Sequence, residues 1–189
     1  MSLQTTSSQT IGPYLHIGLT WLVNDNLAGA GIAGEQFTLE GRVVDGDGTP
    51  VNDAVIETWQ ANAAGRYAHS DDIQDKPLTP GFMGFGRMMT DGDGRFRLTS
   101  IKPGRAPSPG GGLQAPHLSV TLFTRGLLKQ LVTRLYFGGD PANAEDAVLQ
   151  SVAENRRATL VAQPMASRAG HYQWTIVLQG EGETVFFEI

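Results

Sequence analysis

The sequence predicts an all-β fold, a β-sandwich of short antiparallel strands with long functional loops and one short helix. Three observations lead to this prediction. The chain of 189 residues contains 24 glycines and 10 prolines, so turns are frequent and long helices are disfavoured. Apolar and polar residues alternate with a period of two in several short segments. The length and the 40% share of hydrophobic residues favour one domain over residues 1–189, with residues 1–15 as a polar N-terminal arm.

The strand pattern begins where Phe37, Leu39 and Val43 alternate with polar neighbours, as expected of a half-buried strand. Two Asp-Gly-Asp-Gly tracts, at 45–48 and 91–94, predict hairpin turns, each returning the chain into the next strand. The predicted strands cover residues 37–43, 54–59, 88–90, 96–98, 118–123, 131–137, 172–178 and 184–187.

The one predicted helix covers residues 145–157. Asn143 is expected to cap its N-terminus, and two arginines in its last turn complement the helix dipole. The segments 61–86 and 103–115 are longer than hairpin connections require. Loops of this length in a compact domain usually carry function, so the site is expected among them.

Composition excludes several classes of function. The formal net charge of −5 leaves no basic surface for nucleic acid. The absence of cysteine excludes a disulfide framework, a thiolate metal site and a cysteine nucleophile. No apolar run is long enough to span a membrane, and the first ten residues do not resemble a signal peptide, so a cytoplasmic protein is expected.

Three motifs resemble parts of known functional sites, but the residues around them do not support those functions. Residues 29–34 match the spacing G-x-G-x-x-G, but the chain enters the strand at Phe37 within three residues, leaving no helix to hold a pyrophosphate. A calcium loop of the EF-hand type needs glycine where the two Asp-Gly tracts have Pro50 and Phe96. His117 lies among apolar residues without a nucleophile elbow elsewhere, which favours a hydrogen-bonded structural histidine.

Five segments, taken in order along the chain, resemble the intradiol ring-cleavage dioxygenases, which are non-haem Fe(III) enzymes on a β-sandwich. These segments are 8–14, 59–67, 90–94, 101–104 and 135–137. The ending at 179–187 is similar to the alpha subunits of the family's protocatechuate-cleaving members. With that ending, the resemblance covers almost the entire chain.

The resemblance implies an iron site of two tyrosinates and two histidines, which can be compared position by position. Tyr67 falls at the first tyrosine, whereas the second position holds Ala106. His117 falls at the first histidine, whereas the second position holds Ser119. Ferric ion needs anionic oxygen donors, so we expect these four positions to be vestigial and this chain to bind no metal.

The resemblance also implies a partner, a beta subunit that binds Fe(III), in a higher-order alpha–beta oligomer. It assigns this chain no catalytic residue. Thr10, Gly12, Pro13 and Tyr14 of the arm are expected to line the partner's pocket, and Arg125 to bind the substrate carboxylate. The implied reaction is intradiol cleavage of protocatechuate, an aromatic small molecule, by O2 to 3-carboxy-cis,cis-muconate.

Two alternatives remain open at this point. The first is a self-sufficient intradiol dioxygenase for another catechol, which Ala106 and Ser119 oppose because such an enzyme needs all four ligands in one chain. The second is a non-enzymatic β-sandwich binding module, which the family-like segments oppose.

Overall fold

The computed structural model describes residues 7, 8, 10, 17, 18 and 20–188. Eight strands make up most of its regular structure, and the helical segments are short. The strands are β1 Gln36–Val44, β2 Val55–Trp59, β3 Phe85–Met89, β4 Arg95–Ile101, β5 His117–Phe123, β6 Leu131–Phe137, β7 Val161–Pro164 and β8 His171–Val177. The helical segments are the α-helix α1, Ala147–Ser151, and the 3-10 helices Thr20–Leu22, Pro141–Ala144 and Glu154–Leu160.

The strands form one nearly closed sheet in the order β3-β2-β5-β6-β7-β8-β1-β4. Neighbouring strands are antiparallel except for β6 with β7 and β1 with β8, which are parallel. The sheet has two halves, β3-β2-β5-β6 and β8-β1-β4. Strand β7 joins them, because it pairs with β6 on one side and with β8 on the other. The predicted all-β class is confirmed.

The core lies between the two halves of the sheet. Leu118, Val120 and Leu122 alternate along β5 and are buried, in one cluster with side chains of β1, β4 and β8. Phe37 of β1 and Phe137 of β6 meet edge to face, with ring centroids 5.0 Å apart. Each fully buried leucine contributes about 2 kcal/mol to folding, so this alternation sets the inward face of β5.

Both Asp-Gly-Asp-Gly tracts form the turns that the sequence predicts. The side chains of Asp45 and Asp91 each accept hydrogen bonds from the backbone amides two and four residues further along, at 2.8 to 3.0 Å. The prediction that the flanking strands pair as hairpins is wrong. Strand β1 pairs with β4 and β8, and β2 pairs with β3 and β5, so each turn carries the chain from one half to the other.

The predicted continuous helix at 145–157 is also wrong, because α1 is only five residues long. Its N-cap is Asp146, whose Oδ1 accepts the amide of Leu149 at 2.9 Å. Asn143 instead donates its side-chain amide to the carbonyl of Phe137. Val152 adopts an extended backbone that ends the helix, and its buried side chain packs in a second apolar cluster outside β6.

Two strand predictions fail at the C-terminal end. Strand β7 was not predicted, because its four residues are too few to show a period of two. The predicted strand at 184–187 is reduced to one bridge between Val132 and Phe187. Within the described part of the chain, no helix is long and apolar enough to cross a lipid bilayer.

Candidate functional site

The four positions that the sequence predicts to be vestigial lie at the outer face of the β3-β2-β5-β6 half. His117 and Ser119 project from this face of β5, because Leu118 between them points into the core. Ser119 pairs across the strands with Trp59 on one side and Arg134 on the other. The two long loops pass over this face, and they contain Tyr67 and Ala106. We call the four positions Tyr67, Ala106, His117 and Ser119 the remnant site.

Tyr67 is held against the sheet by an aromatic stack and a loop hydrogen bond. Its ring stacks on Trp59, with centroids 6.0 Å apart and an angle of 12° between the planes. Its backbone amide donates to Asp72 Oδ2 at 2.7 Å. Burial raises the pKa of the Tyr67 phenol, the charge of Arg134 lowers it, and the charge of Asp72 raises it. The net shift of the pKa is upward, so the phenol is neutral near pH 7.

His117 is a buried histidine whose ring is oriented by a backbone carbonyl. The residue is only 4% exposed, and Nδ1 lies 2.8 Å from the carbonyl oxygen of Ala115. Burial, together with the charge of Arg134, lowers the pKa of His117 to about 4. The neutral ring therefore donates its Nδ1–H to the carbonyl and keeps a lone pair on Nε2, as metal ligands do.

The donor set does not fit ferric iron. Ala106 offers a methyl group, and the hydroxyl of Ser119 is a poor donor at neutral pH. Only one phenol and one imidazole remain. Among the residues that the structure describes, no group of three or more histidine, cysteine, aspartate or glutamate side chains is placed to hold a metal ion.

Sequence reasoning missed a polar network beside the remnant site. Arg134 Nη1 donates to Gln114 Oε1 at 2.7 Å and lies 3.4 Å from the hydroxyl of Tyr136. That hydroxyl donates to Oδ1 of the fully buried Asp146 at 3.0 Å, and Asp146 Oδ2 accepts the amide of Ala115 at 2.7 Å. An arginine within the apolar strand 131–137 was the available signal, since a charge there must find partners.

Arg125 lies far from the remnant site. Strand β5 begins at His117 and is about 20 Å long, and Arg125 follows its other end. Its Nε is 3.4 Å from Asp53 Oδ2, while Oδ1 of the same carboxylate accepts the hydroxyl of Thr124 at 3.1 Å. The Arg125 side chain is 70% exposed and that of Asp53 only 24%, so a largely buried carboxylate anchors an outward-pointing guanidinium.

Most of the N-terminal arm lies outside the described residues. Among the predicted contacts of the arm, Thr10 is described and exposed, whereas Gly12, Pro13 and Tyr14 fall outside the description. Trp21, which follows the arm, is 74% exposed.

Comparison with known proteins agrees with this architecture. The family described as Dioxygenase matches residues 21–180. The chain belongs to the intradiol dioxygenase family. This membership confirms the resemblance drawn from the five segments, and it makes the chain a relative of ring-cleaving enzymes rather than of binding modules.

Two curated relatives of the intradiol dioxygenase chain match it along its full length. The protocatechuate 3,4-dioxygenase alpha chain of Burkholderia cepacia is 40% identical, covering 100% of this chain and 99% of that protein. The alpha chain of Pseudomonas putida is 39% identical, covering 98% and 97%. The beta chain of Burkholderia cepacia is 41% identical, covering 80% of this chain and 67% of that protein.

Solved intradiol dioxygenases share the fold. The dioxygenase domain of a dioxygenase carbohydrate-binding protein fusion from Streptomyces sp. SirexAA-E superposes with a TM-score of 0.63 at 26% identity, covering 94% of this chain and 99% of that chain. The 3-chlorocatechol 1,2-dioxygenase of Rhodococcus opacus 1CP gives a TM-score of 0.65 at 22% identity, which supports the fold alone. It covers 93% of this chain and 67% of that one.

Proposed function

We propose that this chain is the iron-free alpha subunit of a protocatechuate 3,4-dioxygenase and works with a beta subunit that carries Fe(III). The observation that carries the proposal is the full-length match to alpha chains, combined with the loss of two donors at Ala106 and Ser119. The beta chain of Burkholderia cepacia is equally identical but matches over 80% of this chain, which supports a common origin of the two subunits.

In this assembly the chain contributes walls and an anchor to a pocket that the beta subunit completes. The ferric iron of the beta subunit supplies the redox chemistry by which O2 converts protocatechuate to 3-carboxy-cis,cis-muconate. The residues of this chain bind and orient the substrate. Thr10, Gly12, Pro13 and Tyr14 line the pocket, where glycine and proline permit close approach to a flat ring and Tyr14 offers a ring face and a hydroxyl.

Arg125 binds the substrate carboxylate, which lies opposite the two hydroxyls that react. Its contact with Asp53 engages only Nε, and this leaves both terminal nitrogens for a bidentate pair with a carboxylate. The separation of Arg125 from the remnant site along β5 supports a pocket formed with another chain. A site on this chain alone would need its anchor near His117.

Exposed apolar side chains supply a surface for a partner. Trp21 and Met83 are 74% and 64% exposed, and Val23 is also exposed. Met83 lines a groove together with Asn24, the residue that follows Val23. Such side chains are suited to burial in an alpha–beta interface of a higher-order oligomer. The proposed location of the assembly is the cytoplasm.

The test is to express the chain alone and together with a beta subunit, and to measure iron, visible absorption and turnover of protocatechuate. The expected result is a colourless, iron-free chain alone and a coloured, iron-bearing, active complex. Stoichiometric iron and tyrosinate colour in the chain alone would overturn the proposal in favour of a self-sufficient dioxygenase. An inactive, iron-free complex with the beta subunit would overturn the shared pocket.

A further inference from the structure

The half-buried Arg134 is a cation of β6 that lies beside the remnant site. It stands directly opposite Ser119 in the pairing of β5 with β6, where Cβ atoms are about 5 Å apart. It is diagonal to His117, which pairs with Tyr136, and such neighbours are within reach of a long side chain.

The remaining two positions also connect to this guanidinium. The side-chain oxygen of Gln114 accepts a hydrogen bond from Nη1 of Arg134 at 2.7 Å. The backbone amide of Gln114 donates to the carbonyl of Ala106 at 2.8 Å. The charge of Arg134 lowers the pKa of Tyr67, against the larger raising effect of burial. It also lowers the pKa of His117, after burial. One guanidinium therefore acts electrostatically on both retained positions, lies opposite Ser119 and connects to Ala106 through Gln114.

We propose that Arg134 takes the place of the metal ion, so that its fixed positive charge excludes iron from the remnant site independently of the two missing ligands. The guanidinium is held there by Gln114 and by the Tyr136 hydroxyl, which the buried carboxylate of Asp146 orients. A cation brought among these groups meets the charge of Arg134 at short range, where partial burial weakens solvent screening. The loss of donors and the gain of a cation are then two separate barriers to iron.

This inference does not depend on the beta subunit, because it concerns the metal affinity of the chain itself. The test restores the missing donors by the double substitution Ala106→Tyr with Ser119→His in the full chain. A third substitution is added at Arg134, either Arg134→Gln, which removes the charge and keeps an amide for hydrogen bonding, or Arg134→Lys, which keeps the charge. Each protein is loaded with ferric iron, and bound iron and tyrosinate-to-iron absorption are measured.

The expected result is that only the triple variant with Arg134→Gln approaches about one bound iron per chain, with visible colour. The double variant and the triple variant with Arg134→Lys stay colourless and substoichiometric. Full iron binding by the double variant, or equal binding by the two triple variants, would overturn the proposal. Failure of all three folded variants to bind iron would overturn it too, since removing the charge would then change nothing.

A second measurement covers the case in which the bulky Tyr side chain at position 106 prevents folding. The single substitution Arg134→Gln retains the hydrogen-bonding shape, so its histidine titration can be followed by NMR. With the guanidinium removed, the pKa of His117 is expected to rise above its value of about 4, since the groups that still act on the ring are the carboxylate of Asp146, which raises the pKa, and the neutral Tyr136. An unchanged pKa would show that Arg134 is not the cation of this site.

Discussion

The substitution Arg125→Ala tests the substrate anchor most directly. In the native chain Nε of Arg125 is engaged by Asp53, so two terminal nitrogens remain for the substrate carboxylate. Two charge-assisted hydrogen bonds in a desolvated pocket contribute about 3 kcal/mol, and fixing the Arg125 side chain, which is 70% exposed in this chain, costs about 1 kcal/mol, which leaves about 2 kcal/mol. Because about 1.4 kcal/mol corresponds to a factor of ten, KM for protocatechuate should rise about 30-fold.

The assay compares the alpha–beta complex containing Arg125→Ala with wild type on protocatechuate and on catechol, which lacks the carboxylate. KM for catechol should change little, and kcat on both substrates should be retained. Arg97→Ala is the matched control, because Arg97 is an exposed arginine of β4. An equal rise of KM for both substrates would refute the proposal that Arg125 binds the substrate carboxylate. An unchanged KM for protocatechuate would show that Arg125 does not contact the substrate.

Three further predictions follow from the contacts of the described residues. Asp53→Asn keeps one acceptor oxygen, enough for the Thr124 hydroxyl, but removes the charge and the second acceptor that hold Arg125 in place, so KM for protocatechuate should rise about threefold, less than in Arg125→Ala; an unchanged KM would show that Asp53 does not position Arg125. Gly65 has φ +81°, and an added Cβ would collide with a backbone carbonyl, so Gly65→Ala should lower stability by about 2 to 4 kcal/mol, and Tm by roughly 5 to 15 °C. Gly92→Ala, where nothing lies within 4 Å, is its control, and equal Tm values for the two variants would contradict the reasoning. Burial lowers the pKa of His117 from 6.5 to about 4. Between these two pH values the unfolded chain binds more protons than the folded chain, so the free energy of unfolding falls as the pH drops through this window. The expected loss is about 2 to 3 kcal/mol near pH 4.5. Urea denaturation of wild type and His117→Gln at pH 7 and pH 4.5 checks this, and an equal loss in both proteins would exclude His117 as the titrating group.

Local chemistry explains why several elements could be predicted. Strand β6 at Leu131–Phe137 has the predicted bounds, because seven consecutive residues are enough to show its strand-like pattern and its β-branched residues. The two Asp-Gly-Asp-Gly turns were predicted because the hydrogen bonds of Asp45 and Asp91 close within four residues.

Pairing between strands was beyond such local reasoning. Both turns were expected to close hairpins, yet each carries the chain across to the other half of the sheet. The choice of partner depends on burying the inward faces of both halves together, which no window of the sequence contains. The break of the predicted helix at Val152 has the same origin, since burial of that side chain in the second cluster competes with helical continuity.

The candidate site divides in the same way. The identities at 67, 106, 117 and 119 are readable in sequence, and they determine that one phenol and one imidazole remain where the family has four ligands. The position of Arg134 among them became visible only through the register of β5 with β6. The anchoring of Arg125 by Asp53, 72 positions earlier in the chain, likewise required the folded sheet.

By itself, therefore, the sequence determined the family, the all-β class and the incomplete set of donors, because each of these resides in residue identity or in short-range alternation. Only the tertiary structure decided which strands pair, that a guanidinium lies beside the remnant positions, and that the largely buried carboxylate of Asp53 contacts the proposed substrate anchor. These features depend on side chains brought together by long-range pairing, where burial and charge act over a few ångströms regardless of separation along the chain.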